Sequence, residues 1–302
     1  MIAVEGRTRA PRRDRAAARD VRGRGDVLPG DARAGGEGAD LPGRADLTRR
    51  ELWNARTVAW YERANARSDY AATVLGAVAG LLDDCRTALD VGAGFGALAL
   101  PLARRLARVT AVEPAPAMAA ALRRAAAREG LRNLTVHEAP WGEVEVGPHD
   151  LVVCAHVSHL LTPGSPFLGA AAALARRGVV LVRDLPGGPD KFFFGELYPI
   201  LLGRPYVHGC DARDTVGELE RLGIAPTLTP IEYGSDQPFD SLDEACEFWI
   251  EYMRLADAGA RDFLRAFLAE RLTREGDGWV APFRKRAMVV HWRTRGAGGQ
   301  DG

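Results

Sequence analysis

Cysteine is scarce in this 302-residue chain, and its four copies lie far apart. They stand at positions 85, 154, 210 and 246, and no two of them form a C-x-x-C pair. This spacing argues against a disulfide scaffold and against a zinc site built from paired thiolates. Cys154 lies within an apolar run, so we expect it to be a small core residue.

Long hydrophobic runs are also missing. No stretch approaches the roughly 18 to 20 apolar residues that a membrane span requires. The N-terminus lacks the apolar core of a secretion signal. We therefore expect a cytoplasmic protein that does not enter a membrane.

The chain has no excess of charge of either sign. Forty basic residues balance forty acidic ones, which gives a formal net charge of zero. A neutral balance provides no general electrostatic attraction to a polyanion, although a local basic patch could hide within it. We expect a small-molecule substrate and no nucleic-acid partner, and the sequence leaves the oligomeric state open.

Large apolar side chains are few in residues 1–46, which are rich in Arg, Gly and Ala and contain no aromatic residue. Such a segment buries too little apolar surface to offset its conformational entropy, so we expect a disordered tail. The Arg-rich and Ala-rich composition resembles that of a transit peptide. Interspersed Asp and the absence of Ser favour a solvated tail or an over-extended start codon. We expect residues 296–302 to form a second disordered tail.

A helical cap is predicted over residues 47–82. Trp53, Thr57 and Trp60 share one face of a helix in a segment free of Gly and Pro. A second helix is predicted from Tyr70 to Leu82. Aromatic residues at this spacing are typical of a core, and a lid over a cofactor is the alternative.

From residue 83 to 295 the sequence alternates short apolar runs with helical stretches. Runs of this kind, buried on both faces, indicate an α/β domain with a parallel, doubly wound sheet. A helical insertion is expected at about 236–280, where Phe248, Trp249 and Tyr252 belong to an amphipathic pattern. The predicted strands are Ala88 to Val91, Val109 to Val112, Leu134 to Val136, Leu151 to Ala155, Val179 to Val182, Leu228 to Tyr233 and Ala287 to Trp292.

The strongest local signal is a glycine-rich turn between the first strand and the first helix of this domain. Gly92, Gly94 and Ala97 fit G-x-G-x-x-G/A, the dinucleotide fingerprint. Two residues favour S-adenosylmethionine instead. Gly96 adds a further glycine, and Asp90 would be unfavourable beside a pyrophosphate but useful beside a methionyl ammonium. Glycines here let the backbone approach a ligand closely.

Acidic residues end the next two strands. Glu113 can accept hydrogen bonds from both ribose hydroxyls of such a cofactor. Its alternative role is that of a carboxylate at the N-terminus of the next helix. Glu138 can bond an adenine amino group and Trp141 can stack on the ring, with a surface acid and a core Trp as the alternatives.

In this order and spacing, the segments resemble the class I (Rossmann-like) S-adenosylmethionine-dependent methyltransferase superfamily over roughly residues 85–185. The resemblance implies a seven-stranded sheet of order 3-2-1-4-5-7-6 with the last strand antiparallel. It also implies that Ala93, Pro114, Ala139 and His156 lie against the cofactor. The matching segments are Ala88-Leu89-Asp90-Val91-Gly92-Ala93-Gly94-Phe95-Gly96, Val112-Glu113-Pro114, His137-Glu138-Ala139, and His149-Asp150-Leu151-Val152-Val153-Cys154-Ala155-His156-Val157.

In this fold, methyl transfer takes place near the end of the fourth strand. A base is needed only if the methyl acceptor carries a proton. His159 is the candidate general base, because an imidazole titrates near neutral pH. A packed or capping histidine is its alternative role. His156 and His159 could instead bind a metal with Asp184, but clustered carboxylates would suit Mg²⁺ better, and we expect none.

The leading hypothesis is a small-molecule methyltransferase. Neither an Asn/Asp-Pro-Pro-Tyr/Phe motif nor a Pro-Cys pair follows the fourth strand. Adenine or glutamine amino groups and pyrimidine C5 are therefore disfavoured as acceptors. Aromatic residues of the segment 191–208, with Trp249 and Tyr252, could wall a substrate pocket, or pack in a core or a dimer contact. A nicotinamide-dependent oxidoreductase and a non-catalytic, cofactor-binding partner subunit are the alternatives.

Overall fold

The computed structural model describes residues 53–185, 190–207, 211–255 and 258–294. The predicted tails at 1–46 and 296–302 lie outside these residues, as do His208 and Cys210. Within the described part of the chain, no helix is long and apolar enough to cross a membrane.

A seven-stranded sheet organises the molecule, in the order β3-β2-β1-β4-β5-β10-β6. Strands β1 to β5 run parallel, and β10 pairs antiparallel with both β5 and β6. Because β10 is the seventh strand of this sheet, the predicted order and the reversed last strand are confirmed. The strands are β1 (Thr87–Val91), β2 (Arg108–Val112), β3 (Leu134–His137), β4 (His149–Ala155), β5 (Ala175–Asp184), β6 (Thr227–Gly234) and β10 (Arg284–Arg293).

The central strands form where apolar residues can be buried on both faces of the sheet. Ala88 and Leu89 of β1, and Leu151 to Cys154 of β4, are fully or almost fully buried. Cys154 is completely buried, as predicted for a core residue. Side chains alternate between the two faces, so adjacent residues of one strand enter two different cores. Helices cover both faces: α1 (Ala55–Ala66), α2 (Tyr70–Ala77), α3 (Ala79–Leu82), α4 (Ala99–Arg105), α5 (Pro116–Arg128), α6 (Phe167–Leu174), α7 (Phe194–Leu202), α8 (Ala212–Arg221), α9 (Leu242–Met253) and α10 (Ala258–Arg271).

The N-terminal helices differ from the prediction at two points. Helix α1 begins at Ala55, because the side chain of Asn54 accepts hydrogen bonds from the backbone N–H groups of Arg56 and Thr57 and caps it. Trp53 therefore lies before the helix and not on its face. The predicted single helix from Tyr70 to Leu82 is two helices, α2 and α3, because the backbone at Val78 leaves the helical region.

The insertion before β10 contains a small sheet that the sequence prediction lacked. Its three antiparallel strands have the order β7-β9-β8, with β7 (Gln237–Phe239), β8 (Thr273–Glu275) and β9 (Gly278–Ala281). Helices α9 and α10 pack beside it. Together with α1, they enclose a separate apolar core around Trp60, Phe248 and Trp249. Helices α2 and α3 pack on the main sheet instead, so the two parts of the predicted cap belong to different cores.

Candidate active site

A tight glycine loop connects β1 to the helix that follows it. The N–H groups of Gly92 and Ala93 donate to the carbonyl of Val112, at 2.8 and 3.2 Å, which ties the loop to β2. Gly92 has φ +74°, and a Cβ there would lie 2.3 Å from Cγ2 of Val157. The positive φ and the close approach of Val157 therefore both require glycine at position 92.

Gly94 differs from its neighbours in the loop because nothing lies above it. Its φ is +57°, and a Cβ built there would meet no atom within 4 Å. At Gly96, φ is +100° and a Cβ would lie 2.4 Å from Cδ1 of Leu122. Gly96 therefore serves packing, whereas Gly94 leaves open space in which a ligand can approach the backbone.

Asp90, the last residue but one of β1, is an acid buried without a full set of partners. Its side chain is 2% exposed, and its Oδ2 has no hydrogen-bond partner in the structure. Burial and the nearby charge of Glu113 raise the pKa of Asp90 to about 7, while the N–H of Ala99 acts in the opposite direction. A cation placed beside Oδ2 would supply the missing partner and would stabilise the carboxylate form of Asp90.

Glu113 lies at the end of β2 and holds the loop. One carboxylate oxygen accepts from the N–H of Gly94 and the other from the N–H of Ala115, both at 2.8 Å. Burial raises its pKa, and these two hydrogen bonds lower it. Glu113 thus bonds the residue that precedes α5, close to its alternative role at the N-terminus of that helix, and it also reaches the loop of the predicted cofactor site. Each of its oxygens retains a lone pair for a ligand hydroxyl.

The residues predicted to contact adenine follow β3. Glu138 forms an ion pair with Arg123 at 2.8 Å and is exposed, and Trp141 packs edge-on against Phe167 with ring centroids 5.2 Å apart. Both arrangements match the alternative roles of surface acid and packed Trp. Ala139, half-buried, lies between them along the chain. Pro114 lies directly between Glu113 and the capped residue Ala115.

His156 follows β4 and is positioned by contacts with β5 and β6. Its φ is +57°, its N–H donates to the carbonyl of Val182 at 2.9 Å, and its Nδ1 lies 3.0 Å from Oδ1 of Asp184 at the end of β5. Nε2 faces the hydroxyl of Tyr233 on β6 at 3.4 Å. Burial, and then the charge of Lys285, lower the pKa of the imidazole, against the raising effect of Asp184.

Asp184 lies between the imidazole of His156 and the ammonium group of Lys285. The same Oδ1 that faces His156 lies 2.8 Å from Nζ of Lys285 on β10. Burial acts to raise the pKa of Asp184, but the hydrogen bonds and charges of His156 and Lys285 outweigh it, so that pKa lies well below its usual range. Asp184 is therefore a carboxylate at neutral pH. Among the described residues, no three His, Cys, Asp or Glu side chains are grouped so that they could hold a metal ion.

His159, the predicted general base, is placed elsewhere. It is the exposed residue of a 3₁₀ turn, Ser158–Leu160, and its carbonyl accepts from the hydroxyl of Thr162. His159 does not line the cavity that opens beside the glycine loop, whereas His156 does. The structure therefore does not bring His159 to the predicted acceptor site.

A cavity of about 380 Å³ opens between the glycine loop and the insertion. Its floor includes Phe95 and Ala97 of the loop together with His156. Aromatic side chains from α1, from residues 192–206 and from the insertion form much of its wall: Tyr61, Phe192, Phe194, Tyr206 and Tyr252. Trp249, predicted to share this wall, is fully buried and packs in the core behind it.

Sequence reasoning missed three residues that complete the site. Tyr70 of α2, Tyr233 of β6 and Lys285 of β10 all line the cavity, and Tyr70 lies with its ring centroid 5.7 Å from that of His156. No motif marks them, because they reach His156 from distant parts of the chain. Only Asp184 carried a usable signal, as an acid at a strand end.

Comparison with known proteins identifies the same segment of the chain. The family described as a methyltransferase domain matches residues 88–178. A ubiquinone biosynthesis O-methyltransferase from Methylocella silvestris is 35% identical over 131 residues, which are 42% of this chain and 48% of the relative. The chain thus spans about half the length of that relative.

Solved structures with a similar fold include two methyltransferases. The first is the magnesium protoporphyrin IX methyltransferase of Synechocystis PCC 6803 with bound S-adenosylhomocysteine, at a TM-score of 0.47 and 17% identity over 80% of this chain and 97% of that one. The second is an S-adenosylmethionine-dependent methyltransferase from Aquifex aeolicus, at a TM-score of 0.38 and 15% identity over 68% and 81%.

Proposed function

We propose that this chain transfers a methyl group from S-adenosylmethionine to a small molecule. Residues 88–178 match the model of a methyltransferase domain, and the sheet has the strand order expected from the resemblance to the class I superfamily. The domain that does this spans residues 83–295, and the insertion at about 236–280 supplies part of the acceptor site. S-adenosylmethionine carries a methyl group already activated by its positive sulfonium. The protein's own residues must therefore bind the donor, align the acceptor and exclude water.

The observation that carries this proposal is the unpartnered carboxylate oxygen of Asp90. A buried polar atom without a partner lowers the stability of the folded protein. The raised pKa of Asp90 reflects the same surroundings, which disfavour its negative charge. The open space above Gly94 lies on the adjacent loop. A methionyl ammonium beside Asp90 supplies the missing partner, whereas a pyrophosphate there would add a third negative charge to those of Asp90 and Glu113.

The remaining cofactor contacts are assigned by position. Glu113 would accept hydrogen bonds from the ribose hydroxyls with the lone pairs left free by Gly94 and Ala115. Glu138 and Trp141 would lie near the adenine, with Glu138 exchanging its exposed ion pair with Arg123 for the amino group. Such an exchange is inexpensive, because a surface ion pair contributes little to stability.

The cavity supports a small-molecule acceptor. Its wall of aromatic side chains is typical of sites that bind organic ligands. The matched relative from Methylocella silvestris is named for O-methylation in ubiquinone biosynthesis, which is also a small-molecule reaction. The net charge of zero adds no argument for a polyanionic acceptor.

Isothermal titration with S-adenosylmethionine tests the cofactor assignment. We expect the wild-type protein to bind it, and Gly94→Asp and Glu113→Ala each to weaken binding at least tenfold, equivalent to about 1.4 kcal/mol. A Cβ at position 94 meets no protein atom within 4 Å, so Asp there would place its carboxylate in the space proposed for the ligand. Gly223→Asp is the matched control, because Gly223 also has a positive φ and open surroundings, at the exposed end of α8.

Equal affinity in wild type, Gly94→Asp and Glu113→Ala would refute the assignment. Binding of NADH without binding of S-adenosylmethionine would instead select a nicotinamide-dependent oxidoreductase.

A further inference from the structure

Four strand ends converge on the imidazole of His156. Asp184 of β5 contacts its Nδ1, Lys285 of β10 contacts Asp184, and Tyr233 of β6 faces its Nε2. We propose that His156 is the general base of the reaction and that the acceptor is a hydroxyl group on an aromatic ring. This inference rests on the proposed function and deepens it.

The orientation of the imidazole leaves the correct nitrogen available. Asp184 is held as a carboxylate by Lys285, and its Oδ1 lies 3.0 Å from Nδ1 of His156, although Nδ1 has no aligned hydrogen-bond partner. A carboxylate cannot donate, so its charge favours the tautomer with the proton on Nδ1. In the neutral imidazole, Nε2 then carries the lone pair. A 3.4 Å separation from the hydroxyl of Tyr233 is longer than an ordinary hydrogen bond, so this lone pair is weakly engaged.

The charges around His156 keep it in its basic form. Burial is the largest influence, followed by Lys285, and both favour the neutral imidazole; Arg183 acts in the same direction, while Asp184 opposes them. Two tyrosine hydroxyls complete the surroundings, and burial raises the pKa of each, so both remain neutral. The groups that face His156 are Arg183 and Asp184 of β5, Lys285 of β10, Tyr233 of β6 and Tyr70 of α2.

The wall of the cavity indicates an aromatic acceptor. Phe192 and Phe194 lie with ring centroids 5.6 Å apart, and Tyr252 lies 5.5 and 5.3 Å from them. Aromatic surfaces of this kind pack well against a further planar ring. A phenolic hydroxyl, with a pKa near 10, also gives up its proton to an imidazole far more readily than an aliphatic alcohol does.

Proton transfer to His156 accompanies formation of the new carbon–oxygen bond. As the acceptor oxygen forms its bond to the methyl carbon, it releases its proton to Nε2 of His156, and the electron pair of the broken carbon–sulfur bond remains on sulfur. The positive charge lost from sulfonium thus appears on the imidazolium. Asp184 lies 3.0 Å from Nδ1 and stabilises that charge, so it is a positioning residue. The imidazolium then returns its proton to water.

An amine or a thiolate acceptor would not need this arrangement. A neutral amine already presents a lone pair, and a thiol ionises near neutral pH without strong assistance. A base aligned by a carboxylate is useful for an acceptor that must lose a proton during transfer.

The test compares a phenol with a matched amine and a thiol as methyl acceptors, using methyl-labelled S-adenosylmethionine. The probes are 3,4-dihydroxybenzoate, 3,4-diaminobenzoate and 3-mercaptobenzoate. We expect label on oxygen of the dihydroxy compound, and a loss of at least 100-fold in kcat/KM in His156→Asn. Asn is chosen because it tolerates the positive φ of this position. His159→Asn, on the exposed turn three residues later, is the matched control and should retain activity.

Two further readouts test the imidazole itself, and the first of them needs neither donor nor acceptor. In the ligand-free protein, ¹⁵N resonances of His156 should show a protonated Nδ1 and an unprotonated Nε2 at neutral pH. In Asp184→Asn the pKa of His156 should fall further, because Asp184 raises it in the wild type. The alkaline plateau of the kcat/KM profile should then begin at lower pH, an effect that a merely structural role of Asp184 would not produce.

The outcomes separate the two proposals. Failure to bind S-adenosylmethionine overturns the proposed function. If S-adenosylmethionine binds normally, two results overturn the inference alone. One is methyl transfer only to the amine or thiol probe, and the other is full activity of His156→Asn. If no probe is methylated, the resonances decide, because a protonated Nε2 at neutral pH rules out His156 as the base.

Discussion

At the scale of single residues, Asp90 and His156 are both placed in ways that cost stability. Asp90 is an acid in the core with an unpartnered oxygen, and His156 has a left-handed backbone that non-glycine residues rarely adopt. Such features persist where the surrounding structure enforces them, and they concentrate at functional sites. Both residues lie at the ends of neighbouring parallel strands, beside the glycine loop.

Removal of the Asp90 charge should stabilise the ligand-free protein. Its pKa is raised from 3.8 to about 7. Between these values the folded state binds more protons than the unfolded state, so stability falls as pH rises through this window. We expect Asp90→Asn to raise the free energy of unfolding at pH 8 by on the order of 2–4 kcal/mol, and progressively less as pH is lowered towards 4. Denaturant titrations of ligand-free protein at several pH values measure this.

Glu138→Gln is the control, because it removes an exposed carboxylate and should change stability by less than about 0.5 kcal/mol. A gain in Asp90→Asn that is the same at every pH would contradict the assignment of this charge as the cause.

The choice between two histidines shows what the sequence could not supply at this scale. His156 and His159 follow the same strand, and either could serve as a base on the sequence alone. Asp184 of β5 lies beside His156, and Lys285 of β10 lies beside Asp184. These contacts distinguish His156 from His159. Lys285 lies 129 positions after His156 along the chain, and no local pattern encodes that contact.

At the scale of elements, the sequence predicted the glycine loop, but it did not predict which glycines serve packing and which leaves open space. Alternating apolar runs and helical stretches predicted the sheet, because a buried strand and a helix have different periods of hydrophobicity. Which glycine packs and which faces a ligand depends on Leu122 and Val157, which belong to other elements. The three strands of the small sheet escaped prediction because each has only three or four residues, too few to show a periodicity.

Alanine substitutions should separate the two functions within the loop. Gly96→Ala forces a Cβ to 2.4 Å from Leu122 at φ +100°, so we expect a loss of about 2–4 kcal/mol in stability. Gly94→Ala meets no atom, so we expect only the backbone cost of about 1–2 kcal/mol. Urea denaturation of both variants measures the difference, and equal losses would show that the packing at Gly96 is not as described.

At the scale of the whole molecule, the cavity lies between two cores. The main sheet contributes the glycine loop, His156 and its partners, while α1, residues 192–206 and the insertion contribute the aromatic wall. Helix α1 is tied to the insertion by Trp60, whose indole N–H donates to Glu244 at 2.8 Å, and by Gln237, which donates to the carbonyl of Trp60 at 3.0 Å. The proposed donor and acceptor sites are therefore built by different parts of the fold.

The whole-molecule claim is that a donor in the loop and a small acceptor in the cavity react together. It is tested most directly by incubating the protein with methyl-labelled S-adenosylmethionine and a low-mass metabolite extract, and then locating the label by mass spectrometry. We predict label in a low-mass product with the wild-type chain and with Gly223→Asp, and none with Gly94→Asp. Binding of S-adenosylmethionine without label in any small molecule would contradict the proposed activity and identify a cofactor-binding, non-catalytic chain.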